Sequence, residues 1–433
     1  MIIRRQADSG CASIRRFALL AALGLLAGVA GSGVAAGPDS NERLREFMQQ
    51  VRPQPLAGQA GGQAVREAAT VTPARLQERA ELLKQGESAL ARLDVAAALN
   101  AFERAALILH AADTEIALVR GYMQAGDYRR ALAFGAHTAG AHLDVVGGSL
   151  LYVWLLNAGG QPAIAQRLLA DAKTHMPGNP AVAAVQQQID SGAPVASGQL
   201  LDLPARLAPY GSMKGLPSTA RVVGSAVLLP GGGQALVPLG LLPASGRLWL
   251  RNGLGQLVRA SVDQRWSASS LARVRLERAL PVAETMRLAA SDAFPGSPGF
   301  AVEYTRSPDA TPAWPILRSG FLGAVQGDSG QRLLGIDMPA GARGGPVFDG
   351  AGQLIGMALP ASGKGSVKGD NKGNGKGGDR LVPVSELKKI LADMSAVQPP
   401  GAQPVLPGAL PRSSADAIYE SSLKTSLQVI TAP

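Results

Sequence analysis

The sequence predicts a multidomain α + β protein in which a helical block precedes an all-β domain. Three observations carry this. From about residue 73 to 191 alanine and leucine recur at helical spacing, and Ala98, Ala131 and Ala165 fall 33 and 34 residues apart. From Val222 onward the texture changes to short apolar runs broken by Gly, Pro, Asn and Asp. Within that part, 341–356 reads GARGGPVFDGAGQLIG, the build of a tight loop followed by a β-hairpin.

The chain has 433 residues, enough for two or three separate cores, with 46% apolar but only 4% aromatic residues. Its first segment, 1–36, predicts an export signal. Arg4, Arg5, Arg15 and Arg16 precede an apolar run at 17–30, and small residues at 34–36 offer a cleavage point. The alternative is an uncleaved anchor in the inner membrane. Residues 13–17 match a twin-arginine signal only in part. The single cysteine, Cys11, precedes the apolar run, so a mature exported chain has neither a disulfide nor a thiolate metal site. Removing the segment lowers the formal net charge from +10 to about +7. That moderately basic balance suits anionic envelope surfaces, and no nucleic-acid partner is expected. A linker with a short helix at 41–51 is expected over 37–73, where 53–63 is rich in Gly, Gln, Pro and Ala.

The helical block is placed at 74–191. Gly126-Asp127-Tyr128 leads into Ala131-Leu132, and Gly160-Gln161-Pro162 leads into Ala165 and Leu169. Small residues at this period let paired helices approach closely, and the glycine opens the turn between them. The pattern resembles tetratricopeptide repeats, as three degenerate units over about 75–185. That resemblance implies a curved array whose concave face binds a peptide or protein partner. All four histidines, His110, His137, His142 and His175, lie in this block. None forms an H-x-x-x-H pair in metalloprotease form, so they are assigned to the surface or the core and no metal site is expected.

The β domain is placed at 192–395. Apolar runs at 222–229, 234–242, 247–251, 256–262, 271–276, 286–290, 299–305, 316–325 and 332–338 precede the hairpin. A strand at 381–384 and a helix at 385–394 close it. Together with Gly224-Ser225-Ala226-Val227 and the 341–356 loop, these runs resemble the two six-stranded barrels of trypsin-like serine proteases, particularly the bacterial envelope branch, over about 205–395. In that family a G-(N or D)-S-G-G-P loop supplies the nucleophilic serine and backbone N–H groups for the oxyanion. Here Arg343 stands at the serine position. The family's T-N-x-H-V histidine falls at Leu241, and its D-I-A-L aspartate at Ser270. No histidine follows His175, so the domain has no imidazole to deprotonate a serine.

What remains of the loop is Gly341, Gly344 and Arg343. Arg343 either binds a carboxylate with its donor fork or is an exposed arginine without a role. Gly327-Asp328-Ser329-Gly330 matches the start of a nucleophile loop but continues Gln-Arg, and a hairpin turn accounts for it. Ser329, and less so Ser225, are the alternative nucleophiles.

The insertion at 361–380 is rich in Gly and Lys, and Lys364, Lys368, Lys372 and Lys376 suit an anionic surface. It lacks the spacing of a phosphate loop, and no cofactor is expected. A Pro-rich tether and tail occupy 396–433. The tail carries a helix from Ala415 and a strand at 427–430 that either joins the domain or docks on a neighbour.

The expected function is that of an exported, catalytically inactive trypsin-like pseudoprotease with a helical-repeat adaptor, acting as a scaffold or regulator in the cell envelope. Two alternatives remain. One is an active periplasmic serine endopeptidase with non-standard residues, the other a module binding peptides or anionic envelope components.

Overall fold

The computed structural model describes residues 71–143, 145–192, 200–202, 206–284, 287–326, 331–339, 343–360, 378–392 and 411–433. All belong to one compact unit, 71–433. The expected export signal, nearly all of the 37–73 linker, Ser329, Gly341, the four lysines of the Gly/Lys insertion and most of the tether lie outside the described residues. No helix among the described residues is long and apolar enough to cross a membrane.

Among the described residues, seven helices form the N-terminal part: α1 (Pro73–Ala91), α2 (Val95–Ile108), α3 (Ala112–Ala125), α4 (Tyr128–Ala141), α5 (Val146–Ala158), α6 (Pro162–His175) and α7 (Pro180–Ser191). Their starts follow from local chemistry. Asp94 and Asp127 each accept a hydrogen bond from the backbone three residues on, and Pro162 and Pro180 open helices where a missing N–H costs nothing. The two glycines expected to open turns do so. Gly126 and Gly160 sit at φ +81° and +89°, conformations that L side chains resist. The equivalent turn between α1 and α2 is made by Leu93 at φ +61°, which carries the strain that glycine avoids.

The helices bury unequal shares of their surface. α3 and α5 are buried along almost their whole lengths, whereas α2, α4 and α6 bury only one stripe each. α3 and α5 therefore carry most of the helical core, and α2, α4 and α6 cover it.

The β part begins with a closed six-stranded barrel. It contains β1 (Arg221–Leu228), β2 (Gln234–Pro238), β3 (Arg247–Asn252), β4 (Leu257–Trp266), β5 (Leu271–Leu276) and β13 (Ser426–Ala432), in the order β1-β13-β3-β4-β5-β2. The tail, set apart as 396–433 in the sequence reading, thus completes this barrel. β13 pairs antiparallel with β1 (Val222↔Ile430) and with β3 (Trp249↔Ile430), and all seven of its residues are buried.

The second sheet contains β6 (Pro298–Glu303), β7 (Ile316–Phe321), β8 (Val325–Gln326), β9 (Gln331–Leu333), β10 (Pro346–Phe348), β11 (Leu354–Leu359) and β12 (Arg380–Pro383), ordered β7-β6-β10-β11-β12-β9-β8. The expected run at 316–325 is split. β7 and β8 are its two parts, so the sheet curls back to the stretch on which it began. Backbone bonds from Gly323 N to Leu334 O and from Leu333 N to Ala324 O hold that corner. The expected strand at 286–290 is only an isolated bridge from Leu288 to Leu354. Helix α8 (Val384–Ala392) packs on β11 and β12.

Helix α9 (Ala415–Thr425) joins the two parts. Its Tyr419 meets Tyr128 of α4 edge-on, with ring centroids 4.5 Å apart, and donates to Pro315 O at 2.8 Å. Tyr210, in the connection before β1, donates its hydroxyl to Glu87 of α1 at 2.9 Å. Its backbone N–H and carbonyl bond the Gln124 side chain at the end of α3, each at 3.0 Å. The helical part is therefore fastened to the β part at several points.

Candidate functional site

The glycine loop enters β10 at Pro346. Gly344 adopts φ +149°, and a Cβ there would lie 1.9 Å from Ser225 O and 2.9 Å from Pro238 Cγ, so only glycine fits where the second sheet, a seven-stranded sheet and not the second six-stranded barrel expected, meets the closed barrel. The Pro238 strand end leads directly into the short turn Leu239–Leu241, and Leu239 N donates to Ser270 O at 2.9 Å. The segments carrying Leu241, Ser270 and Arg343 thus meet at one junction. Their side chains do not form a polar group there. Leu241 is buried in the first barrel's core, and Ser270 is half-buried in a left-handed turn at φ +58°.

Arg343 corrects an expectation. It is not an exposed loop arginine but only 6% exposed. Its Nε donates to Asp379 Oδ2 at 2.5 Å, Nη1 to Pro339 O at 2.9 Å and Nη2 to Met338 O at 3.3 Å. The fork that could have held a ligand carboxylate is occupied by the chain's own carboxylate and two loop carbonyls. Its role is to pin the loop.

Behind the loop sits Glu303, 3% exposed at the end of β6. Its Oε1 accepts from Gly344 N at 3.3 Å and Gly345 N at 3.1 Å, while Oε2 has no hydrogen-bond partner. Burial pushes its carboxyl up to about 7, against the lowering pull of Ser225, the Arg343 charge and the two glycine amides. Ser225, the second alternative nucleophile, is fully buried, and its Oγ accepts from Tyr304 N at 2.7 Å.

A second polar cluster lies in the helical part, among residues that the sequence reading assigned to surface or core filling. His110 precedes α3, Glu115 is in the first turn of α3, His137 is on α4 and His142 caps its C-terminus. His110 Nε2 contacts Glu115 Oε1. His137 Nε2 lies 3.3 Å from the same oxygen and 3.4 Å from His110 Nε2, and His142 Nε2 lies 3.4 Å from Glu115 Oε2. Glu115 is only 3% exposed. Burial alone would push its carboxyl up, but the contacts with His137 and Thr138 and the charges of His137 and His110 outweigh it and hold the group below its ordinary value. A signal for this cluster exists in the sequence. In an antiparallel helix pair the start of the first helix lies beside the end of the second, which is where His110 and His142 fall.

A family model described as a trypsin-like peptidase domain matches residues 218–357, from just before β1 to the middle of β11. That stretch is a trypsin-like peptidase domain, in agreement with the barrel topology. A comparison with curated proteins gives no match.

Proposed function

We propose that this is an exported, catalytically inactive trypsin-like protein in which the barrels form a structural body and the helical part binds a protein partner. One observation carries the inactivity. The three segments where the family keeps its triad come together, yet they bear Leu241, Ser270 and Arg343, and no histidine follows His175 in the chain. Without an imidazole or another free base, a serine hydroxyl is a poor nucleophile. The internal uses of Arg343 and Glu303 support the same reading, since the polar groups nearest the loop are spent on holding it.

A protein-binding role is supported by the likeness of the helical part to tetratricopeptide repeats. Exposed Leu107 and Leu143, near the ends of α2 and α4, offer apolar contact surface there. Export rests on the basic and apolar segment 1–36.

The test is labelling of the full chain with a fluorophosphonate, with hydrolysis of unfolded casein as a second readout. Neither labelling nor cleavage is expected. Labelling that disappears in Ser329→Ala would overturn the proposal and return the domain to the active peptidases.

A further inference from the structure

We infer that His110, Glu115, His137 and His142 form a site for one divalent cation of the zinc class. Three imidazoles and one carboxylate converge, and every histidine presents the same atom, Nε2, to the same carboxyl group. The spacing fits a tetrahedral metal. Ligand atoms about 2.0–2.1 Å from a central ion stand about 3.3–3.4 Å apart along a tetrahedral edge. The His110–His137 approach at 3.4 Å and the approach of His137 to one Glu115 oxygen at 3.3 Å match that edge, as does the 3.4 Å from His142 to the other oxygen; His110 stands closer to Glu115 and would move outward to admit an ion. The ligand atoms of His110, Glu115 and His142 lie within 4.8 Å of one another.

An independent observation points to a ligand. Both Glu115 oxygens and His142 Nε2 are buried, and apart from Thr138 the groups facing those oxygens are the imidazole nitrogens themselves. A carboxylate this deeply buried is costly to leave without a compensating charge. A cation at the centre satisfies all four groups at once.

Imidazole nitrogen selects the zinc class over calcium and magnesium, which favour oxygen donors. Four protein ligands make this a closed, structural site. It would clamp the start of α3 to the end of α4 and so fix the second helical pair. The site is independent of any chemistry in the barrels.

The test uses the full chain, stripped with a chelator and titrated with Co2+, then Zn2+. One equivalent of Co2+ is expected to give the intense visible absorption of a tetrahedral site, and Zn2+ should bleach it. Thermal stability should rise with Zn2+. Glu115→Gln, which keeps the side-chain shape, and His142→Ala should each weaken Zn2+ binding at least about tenfold. His175→Ala should leave it unchanged, because that ring bonds Asp171 O at 2.7 Å within α6. The Co2+ spectrum of the unaltered chain reads the ligand set even if a variant fails to fold. Sub-stoichiometric binding, the weak spectrum of an octahedral aquo site, or affinity insensitive to Glu115→Gln and His142→Ala would each overturn the assignment.

Discussion

Glu115 in the helical part and Glu303 in the second sheet each expose only 3% of their surface, but Glu303 lies deeper in the protein, and the two carboxyls are shifted in opposite directions. Around Glu115 two imidazoles, His137 and His110, together with Thr138 outweigh desolvation, and the carboxyl is held below its ordinary value. Around Glu303 the partners are two backbone amides, a hydroxyl and the Arg343 charge; desolvation wins and lifts the group to about 7. Depth below the surface and the neighbours that the fold delivers decide ionisation together. The kinds of partner also differ: Glu115 faces three imidazole nitrogens that can themselves hold a cation, whereas Glu303 spends one oxygen on the two amides of the glycine loop.

Four changes would break or sharpen this contrast. Removing 413–433 should have the largest effect, since it deletes β13 from between β1 and β3 and leaves two unpaired strand edges. Hydrogen exchange is expected to show lost protection throughout the first barrel and the junction near Glu303, with α3 around Glu115 much less affected. Equal loss in both places would mean that the two environments are not separable.

Next, Glu303→Gln should remove a pH dependence. The group's folded value of about 7 lies above its ordinary 4.5, so the folded chain holds a proton that the unfolded chain has lost between these values. Its contribution is complete below about 4.5 and declines as pH rises to about 7. At pH 8 the variant is expected to gain up to about 3 kcal/mol relative to the parent. Urea unfolding at pH 5 and pH 8 measures this; equal differences at both would show that Glu303 stays ionised. Arg343→Ala should cost about 2 kcal/mol through three lost donor contacts. It should also move the Glu303 titration upward, because a nearby positive charge is gone. A downward movement would assign the wrong sign to that charge. The smallest effect is a gain. Leu93→Gly relieves the left-handed turn and should add roughly 0.5–1 kcal/mol, leaving the Glu303 titration where it was.

Much of the fold is legible from residues that act on their own backbone. The 33- and 34-residue period marks the helix pairs, and Gly126 and Gly160 mark their turns. The β texture and the GARGGPV loop mark the peptidase domain, which the family match supports over 218–357. The candidate site was less legible. An arginine at the serine position reads as solvent-facing until its partner, Asp379, is seen to arrive 36 residues later. The histidine cluster joins His110 to His137 across 27 residues, and only the antiparallel packing of α3 and α4 closes that gap.

By itself, then, the sequence determined the order of a helical block and a β domain, the positions of the turns, and the lack of any histidine beyond His175. Periodicity, caps and glycine preferences are local properties, written residue by residue. Only the tertiary structure decided that the last strand lies between β1 and β3, that Arg343 turns inward, and that Glu115 gathers three imidazoles. Alternation along a strand says which face is buried but not which strand is its neighbour. A titratable side chain likewise acquires its chemistry from partners that are distant in sequence and brought close by packing.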